Sequence, residues 1–314
     1  ICNTKFICKM KKILIIQKRI GIGDFCVFLP AINEISKFFS EYQVDVMTKE
    51  RTQAKEFIFD HNYINDVFYA PDLNIFKESM WIYNHIKNLK YEKCFIFHYS
   101  LRYFLLAKLA GVKNVFSYGF LKKNENIVKR SQEFINDKLN NKNKNFEFHI
   151  NFRENIKKQE QIIFGIGGSG NDKKWDLNNY VKLAKLLNKI KKFKYVLAGG
   201  INEIDDANYI IKNLKNNNID AISICELNIK STLPFLLSSK IYIGNDTGFM
   251  HLSGCFGIQS FGLFGRTSIN YSSYNKNIIP ISLPDSQRRN ISRPDAINFI
   301  QPEYVLEFLQ STKL

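Results

Sequence analysis

The chain has 314 residues, is 45% hydrophobic and carries a formal net charge of +16. That length and apolar content suit two domains better than one, and no run approaches the roughly eighteen consecutive apolar residues of a membrane span. The charge suits an anionic partner (a membrane surface or a phosphorylated substrate), but no aromatic-interleaved basic motif of an RNA-binding type is present, so a nucleic-acid partner is not expected.

A biased genome rich in Lys, Asn and Ile would produce the same charge, and composition alone leaves both origins open. The segment before Met10, ICNTKFICK, has no apolar h-region or cleavage site. It reads as an upstream extension or fragment edge rather than a signal peptide, with Met10 as the natural start. The six cysteines (Cys2, Cys8, Cys26, Cys94, Cys225 and Cys255) form no C-x-x-C pair, and the histidines do not cluster with them. Neither a metal site nor a disulfide framework is expected, and reduced thiols fit a cytoplasmic protein.

From Met10 the chain alternates short apolar runs with helical patterns. Lys12 to Ile16 suits a strand buried on both faces. A glycine turn and a helix from about Asp24 to Phe39 follow. Strands are expected at Val44–Met47, Asp66–Tyr69, Cys94–Phe97 and Val115–Tyr118, with helices at Ile75–Leu89 and Leu101–Leu109. Helices of this length between strands imply crossovers and a mostly parallel sheet. From about Asn136 to Glu160 the sequence is polar and Asn/Lys-rich, which reads as a linker with room for one helix. The alternation then restarts. Strands are expected at Gln161–Gly165, Lys194–Ala198, Ala221–Ile224, Ile241–Ile243 and Ser260–Phe264. Helices are expected at Leu177–Ile190, Glu203–Leu214, Thr232–Ser238 and Phe249–Phe256, and Pro302–Leu309 closes the chain. The expected architecture is α/β, with one Rossmann-like domain over about residues 10–150 and a second over 161–314, their parallel sheets facing a central cleft.

Every glycine cluster falls at the carboxyl end of a strand, where such sheets bind ligands. At the first, Gly21-Ile-Gly23-Asp24, the acid suits a helix cap and would repel a pyrophosphate. Asp24 can equally serve as a general base, and the two roles are compatible. The second, Gly165-Ile-Gly167-Gly-Ser169-Gly170, fits G-x-G-x-x-G formally. The next strand, however, ends in Ala198-Gly199-Gly200 without the acid a dinucleotide ribose needs, and the loop continues into Lys173, Lys174 and Trp175. Backbone amides with lysine suit phosphate oxygens; a solvated basic loop beside a core Trp is the alternative. At the third corner, Gly199 to Glu203, Glu203 either caps a helix or reaches ribose hydroxyls. The fourth is Gly244-Asn-Asp246-Thr247-Gly248, where Asn245 or Asp246 can cap the next helix. Thr247 and Gly248 would then offer helix N-terminal amides to an anion. His251, one turn on, reads locally as a core histidine.

Four motifs in order carry a family resemblance: Gly23-Asp24 with Pro30 on the following helix, the Asp172-Lys-Lys-Trp175 loop, the Gly199 to Glu203 corner, and Gly244 to Leu252 followed by Leu263 to Thr267. Over Lys11 to about Thr267 the chain resembles the heptosyltransferases of lipopolysaccharide core synthesis, glycosyltransferase family 9, with the GT-B fold. The resemblance implies an inverting, metal-independent glycosyltransferase. It implies Asp24 as catalytic base and Lys173 as the cation that neutralises the departing diphosphate. Ser169, Glu203, Asp246, Thr247, Gly248 and His251 are implied donor-binding residues. The implied donor is ADP-heptose, bound as substrate with no cofactor. The implied acceptor is an anionic lipopolysaccharide or other surface glycan at the cytoplasmic face of a membrane, which the protein would touch peripherally. The chain departs from the family pattern at Phe249, Asp176 and Arg266, where proline is usual. None of these changes removes a group the chemistry needs. Two rivals stand beside this reading: a nicotinamide-dependent oxidoreductase using Gly165 to Gly170, and a non-catalytic nucleotide-sugar-binding module.

Overall fold

The computed structural model describes residues 11–58, 64–119, 126–140, 146, 150, 156–168, 170–265, 269–283 and 296–312. The chain divides into two compact units, Ile1–Phe146 and Glu147–Leu314.

The first unit contains β1 (Lys11–Ile16), α1 (Ile22–Phe38), β2 (Tyr42–Thr48), the short α2 (Lys55–Ile58) and β3 (Asp66–Tyr69). It continues with α3 (Ile75–Leu89), β4 (Lys93–Ile96), α4 (Leu101–Leu109), β5 (Asn114–Ser117) and α5 (Ile127–Leu139). The strands form one parallel sheet in the order β3-β2-β1-β4-β5. The direction of winding reverses between β1 and β4, so the loops after these two strands flank the crevice of an open sheet. Ile13 to Ile16 are buried because β1 is central and covered on both faces, which is why it reads as an unbroken apolar run. The α1 and α5 helices pack against each other, and α3 packs beside α4 over a core that includes Leu14, Ile82, Ile96 and Tyr103.

The second unit contains β6 (Gln161–Gly165), α6 (Leu177–Ile190), β7 (Lys194–Ala198), α7 (Ile204–Lys215), β8 (Ala221–Ser223) and α8 (Ile229–Ser238). Then come β9 (Ile241–Asn245), α9 (Gly248–Cys255), β10 (Gln259–Phe264), β11 (Ile278–Ser282) and α10 (Pro302–Ser311). Its sheet is also parallel, in the order β11-β10-β9-β6-β7-β8, and it reverses between β6 and β9.

Most sequence expectations for elements match within a residue or two. Three do not. The α5 helix runs to Leu139, so the start of the expected linker is helical; Val128, Phe134, Ile135 and Leu139 bury one stripe of an otherwise polar segment. The strand β11 is not anticipated, because Pro280 sits in its middle. It is an edge strand, where a missing N–H costs least. The short α2 is likewise unmarked by any periodic pattern. The four described cysteines, Cys26, Cys94, Cys225 and Cys255, are all buried.

The β6–β9 junction has no spare volume. Gly165 and Gly244 are register partners, and a methyl group at Gly165 would overlap the phenol of Tyr242. Gly111 follows α4 with φ +93° and open space around it. Gly165→Ala is therefore expected to cost about 3 kcal/mol by overpacking. Gly111→Ala should cost only about 1 kcal/mol of left-handed backbone strain. Chemical denaturation of the two variants beside the wild type measures the difference.

Candidate active site

The carboxyl ends of β6, β7 and β9 bring three glycine corners together at the winding reversal of the second sheet. Asn245, the last residue of β9, is wholly buried. Its Nδ2 donates to the carbonyl oxygens of Ile166 at 3.0 Å and Gly167 at 2.9 Å. Its Oδ1 accepts from the Trp175 backbone N–H at 3.0 Å and lies 3.0 Å from the Tyr180 hydroxyl, which also reaches the Gly165 carbonyl at 2.8 Å. One side chain thus fastens the loop after β6 to the entry of α6. Trp175 is buried, with its indole N–H donating to the Ile300 carbonyl at 2.8 Å, and Asp176 caps α6 through the Asn178 N–H.

Between those fastened points, a short 3-10 turn at Asn171–Lys173 presents Lys173. Its Nζ lies 3.2 Å from Asp246 Oδ2. The other Asp246 oxygen, Oδ1, faces His251 Nε2 at 3.4 Å, and His251 Nδ1 meets the Tyr274 hydroxyl at 2.9 Å. Burial alone would push the Asp246 carboxyl up. The His251 hydrogen bond, with the charges of His251 and Lys173, outweighs it and holds the group below the ordinary aspartate range. An ionised carboxylate only accepts, so His251 Nε2 carries a proton towards it. Lys174 turns the other way, to Glu203 at 3.0 Å and Asp206 at 3.2 Å. Burial favours its neutral form, but those carboxylates prevail and raise its pKa. Glu203 also accepts from the Gly200 N–H at 2.8 Å, closing the turn ahead of α7.

Thr247 is the N-cap of α9 and makes no side-chain capping bond. The first backbone bond of that helix is from His251 N–H to the Thr247 carbonyl, so the amides of Gly248, Phe249 and Met250 have no intrahelical partner. Neither Asn245 nor Asp246 caps α9, contrary to the sequence expectation. Asn245 is spent on the β6 loop, and Asp246 on Lys173 and His251. In the first unit, Asp24 sits in the first turn of α1. Its Oδ2 accepts from the Gly21 N–H at 3.2 Å, and its Oδ1 pairs with the half-exposed Arg19 at 3.0 Å.

An ammonium and helix amides without intrahelical partners at a sheet reversal are an arrangement that can hold a diphosphate. Residues 87–299 match the profile of Glycosyltransferase family 9 (heptosyltransferase). The chain belongs to that family. Among curated proteins it is similar to lipooligosaccharide heptosyltransferase 2 of two Campylobacter jejuni subsp. jejuni strains. One, of serotype O:6, is 31% identical over 123 residues, covering 38% of each chain. The other, of serotype O:2, is 30% identical over 106 residues, covering 33% of each chain. The chain thus aligns with about a third of the length of these relatives. Among solved structures it is similar to E. coli ADP-heptose lps heptosyltransferase II, with TM-score 0.75 at 17% identity over 96% of this chain and 98% of that one. It is also similar to E. coli heptosyltransferase WaaC with ADP, with TM-score 0.76 at 14% identity over 96% and 99%. Its two parallel α/β sheets are those of the GT-B heptosyltransferase fold.

Among the family 9 motif residues, the structure brings Lys173, Glu203, Asp246, Thr247, Gly248 and His251 into the second unit's sheet ends and places Asp24 in the first unit. Ser169, Arg266 and Thr267 lie outside the described residues. His251 is placed behind Asp246, 2% exposed and with both ring nitrogens engaged. Sequence reasoning missed Asn245 as a fastener, and it missed Tyr180 and Tyr274 altogether. Only the position of Asn245 between a strand end and Asp246 hinted at a special role.

Asn245→Ala strands two carbonyls and an amide, leaves the Tyr180 hydroxyl only the Gly165 carbonyl, and is expected to lower stability by about 2–4 kcal/mol in denaturant unfolding. Asp246→Asn tests the lowered carboxyl. A group with a depressed folded-state pKa contributes stability above its unfolded value of about 3.9 and loses it as pH falls through the folded one. The stability gap between wild type and Asp246→Asn should hold steady from about pH 5 to 8 and shrink below about pH 4. A gap independent of pH down to about 3 would mean the carboxylate is not the stabilising form.

Proposed function

We propose that the chain is an inverting, metal-independent glycosyltransferase. It moves a heptose or related sugar from an ADP-sugar to a lipopolysaccharide or lipooligosaccharide core, or to another surface glycan. The observation that carries this reading is the Lys173 ammonium, held by Asp246, together with the N-terminal amides of α9 that have no intrahelical partner. The donor names of the neighbours add weight, since solved relatives hold ADP and an ADP-2-deoxy-2-fluoro heptose.

Asp24 takes the proton from the acceptor hydroxyl. That oxygen attacks the anomeric carbon as the bond from carbon to the diphosphate oxygen breaks. A single displacement inverts the configuration. The negative charge that grows on ADP is met by Lys173, which has three donors and uses one on Asp246, and by the amides of Gly248 and Phe249. These groups supply the stabilisation that a divalent cation gives elsewhere. Glu203, already engaged by Gly200 and Lys174, offers the remaining lone pairs of its carboxylate to a ribose. Ser169 is assigned a phosphate contact from its motif alone. His251 acts through Asp246 rather than on the donor, since neither ring nitrogen is free. The acceptor is an anionic glycolipid or glycan, reached by peripheral contact at the cytoplasmic face of a membrane.

The test is transfer from ADP-heptose to a lipooligosaccharide core, read by mass spectrometry of the product and by ADP release, with chelator present. Asp24→Asn should lower kcat by about a hundredfold or more while leaving ADP affinity within about twofold. Lys173→Ala should lower both. ADP release unaffected by Asp24→Asn would defeat this mechanism, and activity lost only on chelation would defeat its metal independence.

A further inference from the structure

The α3 and α4 helices carry apolar residues on both sides. Their inner sides enter the core of the first unit through Ile82 and Ile86 on α3 and Tyr103 and Ala107 on α4. They lie side by side, and their amino-terminal ends are tied by Arg102. Its guanidinium donates to the Ile75 carbonyl at 3.3 Å and the Ser79 hydroxyl at 2.9 Å, and pairs with the buried Glu78 at 2.6 Å. The outer sides should be polar in an ordinary surface helix. Here Ile75 and Phe76 are each 73% exposed, Met80 51%, Leu101 56%, Leu105 48% and Leu109 72%. Phe76 and Met80 are one helical turn apart, and so are Leu101, Leu105 and Leu109, so each helix bears an apolar stripe on its solvent side. With Leu73, seven of the fifteen exposed large hydrophobics among the described residues fall within 73–109. Singly such residues are ordinary; clustered on two adjacent helices they mark a contact surface.

The charges around the stripes are one-sided. Lys77, Lys87, Lys90, Lys108 and Lys113 are exposed, whereas Asp72 is the one exposed acid between residues 72 and 113. Lys77 follows Phe76 directly, and Lys108 precedes Leu109 on the solvent side of α4. We propose that the outer face of α3 and α4 docks on an anionic lipid bilayer, with the leucines, Phe76 and Met80 entering the headgroup–acyl boundary and the lysines meeting lipid phosphates. Lysine stems can lie along apolar surface while their ammonium groups stay at the phosphate level. A second copy of the chain is a poor occupant, because a two-fold contact would set the lysine rim against itself. Among the described residues no helix is long and apolar enough to cross a membrane. The inference rests on the proposed peripheral membrane contact, assigns it to one surface, and is separable from the transfer chemistry.

The test is co-sedimentation of the full chain with phosphatidylcholine vesicles, with and without phosphatidylglycerol. The expected result is binding to the anionic vesicles alone, weakening as salt rises. Phe76→Ser with Leu105→Ser should weaken it by about tenfold or more. A control pair on the second unit, Ile190→Ser with Leu227→Ser, should not. ADP affinity and thermal unfolding should be unchanged in all of them, since the altered side chains are exposed. Three results would overturn the proposal: equal binding by the α3–α4 variant, loss only in the control pair, or a lipid-free dimer that the α3–α4 variant dissociates. If no form binds vesicles while transfer to a soluble core glycan proceeds, the membrane contact fails and the glycosyltransferase reading survives. Loss of transfer with binding intact is the converse.

Discussion

The site in the second unit depends on one buried amide. Asn245 uses both donors and both lone pairs of its side chain within the protein, on Ile166, Gly167, Trp175 and Tyr180. A fully satisfied buried polar group costs little and fixes one arrangement, whereas a half-satisfied one is expensive. Here the arrangement fixed is the path of the loop between β6 and α6. Lys173 lies two residues before the anchored Trp175, and Asp246 directly follows Asn245. The ammonium–carboxylate pair is therefore held from both sides by the same side chain. The exclusion of a methyl at Gly165 and Gly244 belongs to the same design, because only bare backbone lets β6 and β9 approach closely enough for Asn245 to reach across.

Two of the three candidate carboxylates, Asp24 and Asp246, are separated by their surroundings. Asp246 is buried, and each oxygen faces a cationic or N–H group, Lys173 or His251. Its lowered pKa makes it a persistent charge and a poor proton acceptor. It suits the work of aiming Lys173. Asp24 has a partly exposed side chain whose ionic partner is the half-exposed Arg19, a contact in a high-dielectric setting that a ligand can displace. Of these two acids Asp24 is the more exposed, which fits the role of base proposed for it. The Gly21 N–H meets one Asp24 oxygen and Arg19 the other, so the acid closes the turn ahead of α1 as the cap reading expects.

The strand–helix alternation was legible because both sheets are parallel. Their central strands are buried on two faces and read as unbroken apolar runs, and their crossovers are long amphipathic helices. The glycine corners were legible because bare backbone at a strand end is favoured only where the chain turns sharply or something approaches it closely. What stayed hidden depends on single long-range partners. Asn245 meets residues 65 to 79 positions away, and Tyr274 meets His251 across 23. No local pattern announces such bonds, so the sequence left Asn245 as one of two possible caps. Pro280 concealed β11 for a related reason: whether a proline breaks a strand depends on whether that strand lies at an edge, which is a property of the sheet. The α5 helix was hidden by its composition, since four buried apolar residues suffice to hold thirteen against the sheet.

The net charge of +16 has two candidate origins that composition leaves level, and the membrane contact proposed for α3 and α4 bears on the choice between them. Compositional drift scatters lysine wherever solvent allows; in the second unit Lys182, Lys191 and Lys240 pair with nearby acids. Drift gives no reason for the lysines of α3 and α4 to accompany Phe76, Met80, Leu105 and Leu109 at solvent-facing positions. An exposed apolar side chain lowers solubility and offers the fold no compensation, so its presence beside a one-sided rim of lysines fits the second medium proposed for this face. An apolar interior under an anionic surface satisfies both kinds of side chain at once, and a bilayer has that profile.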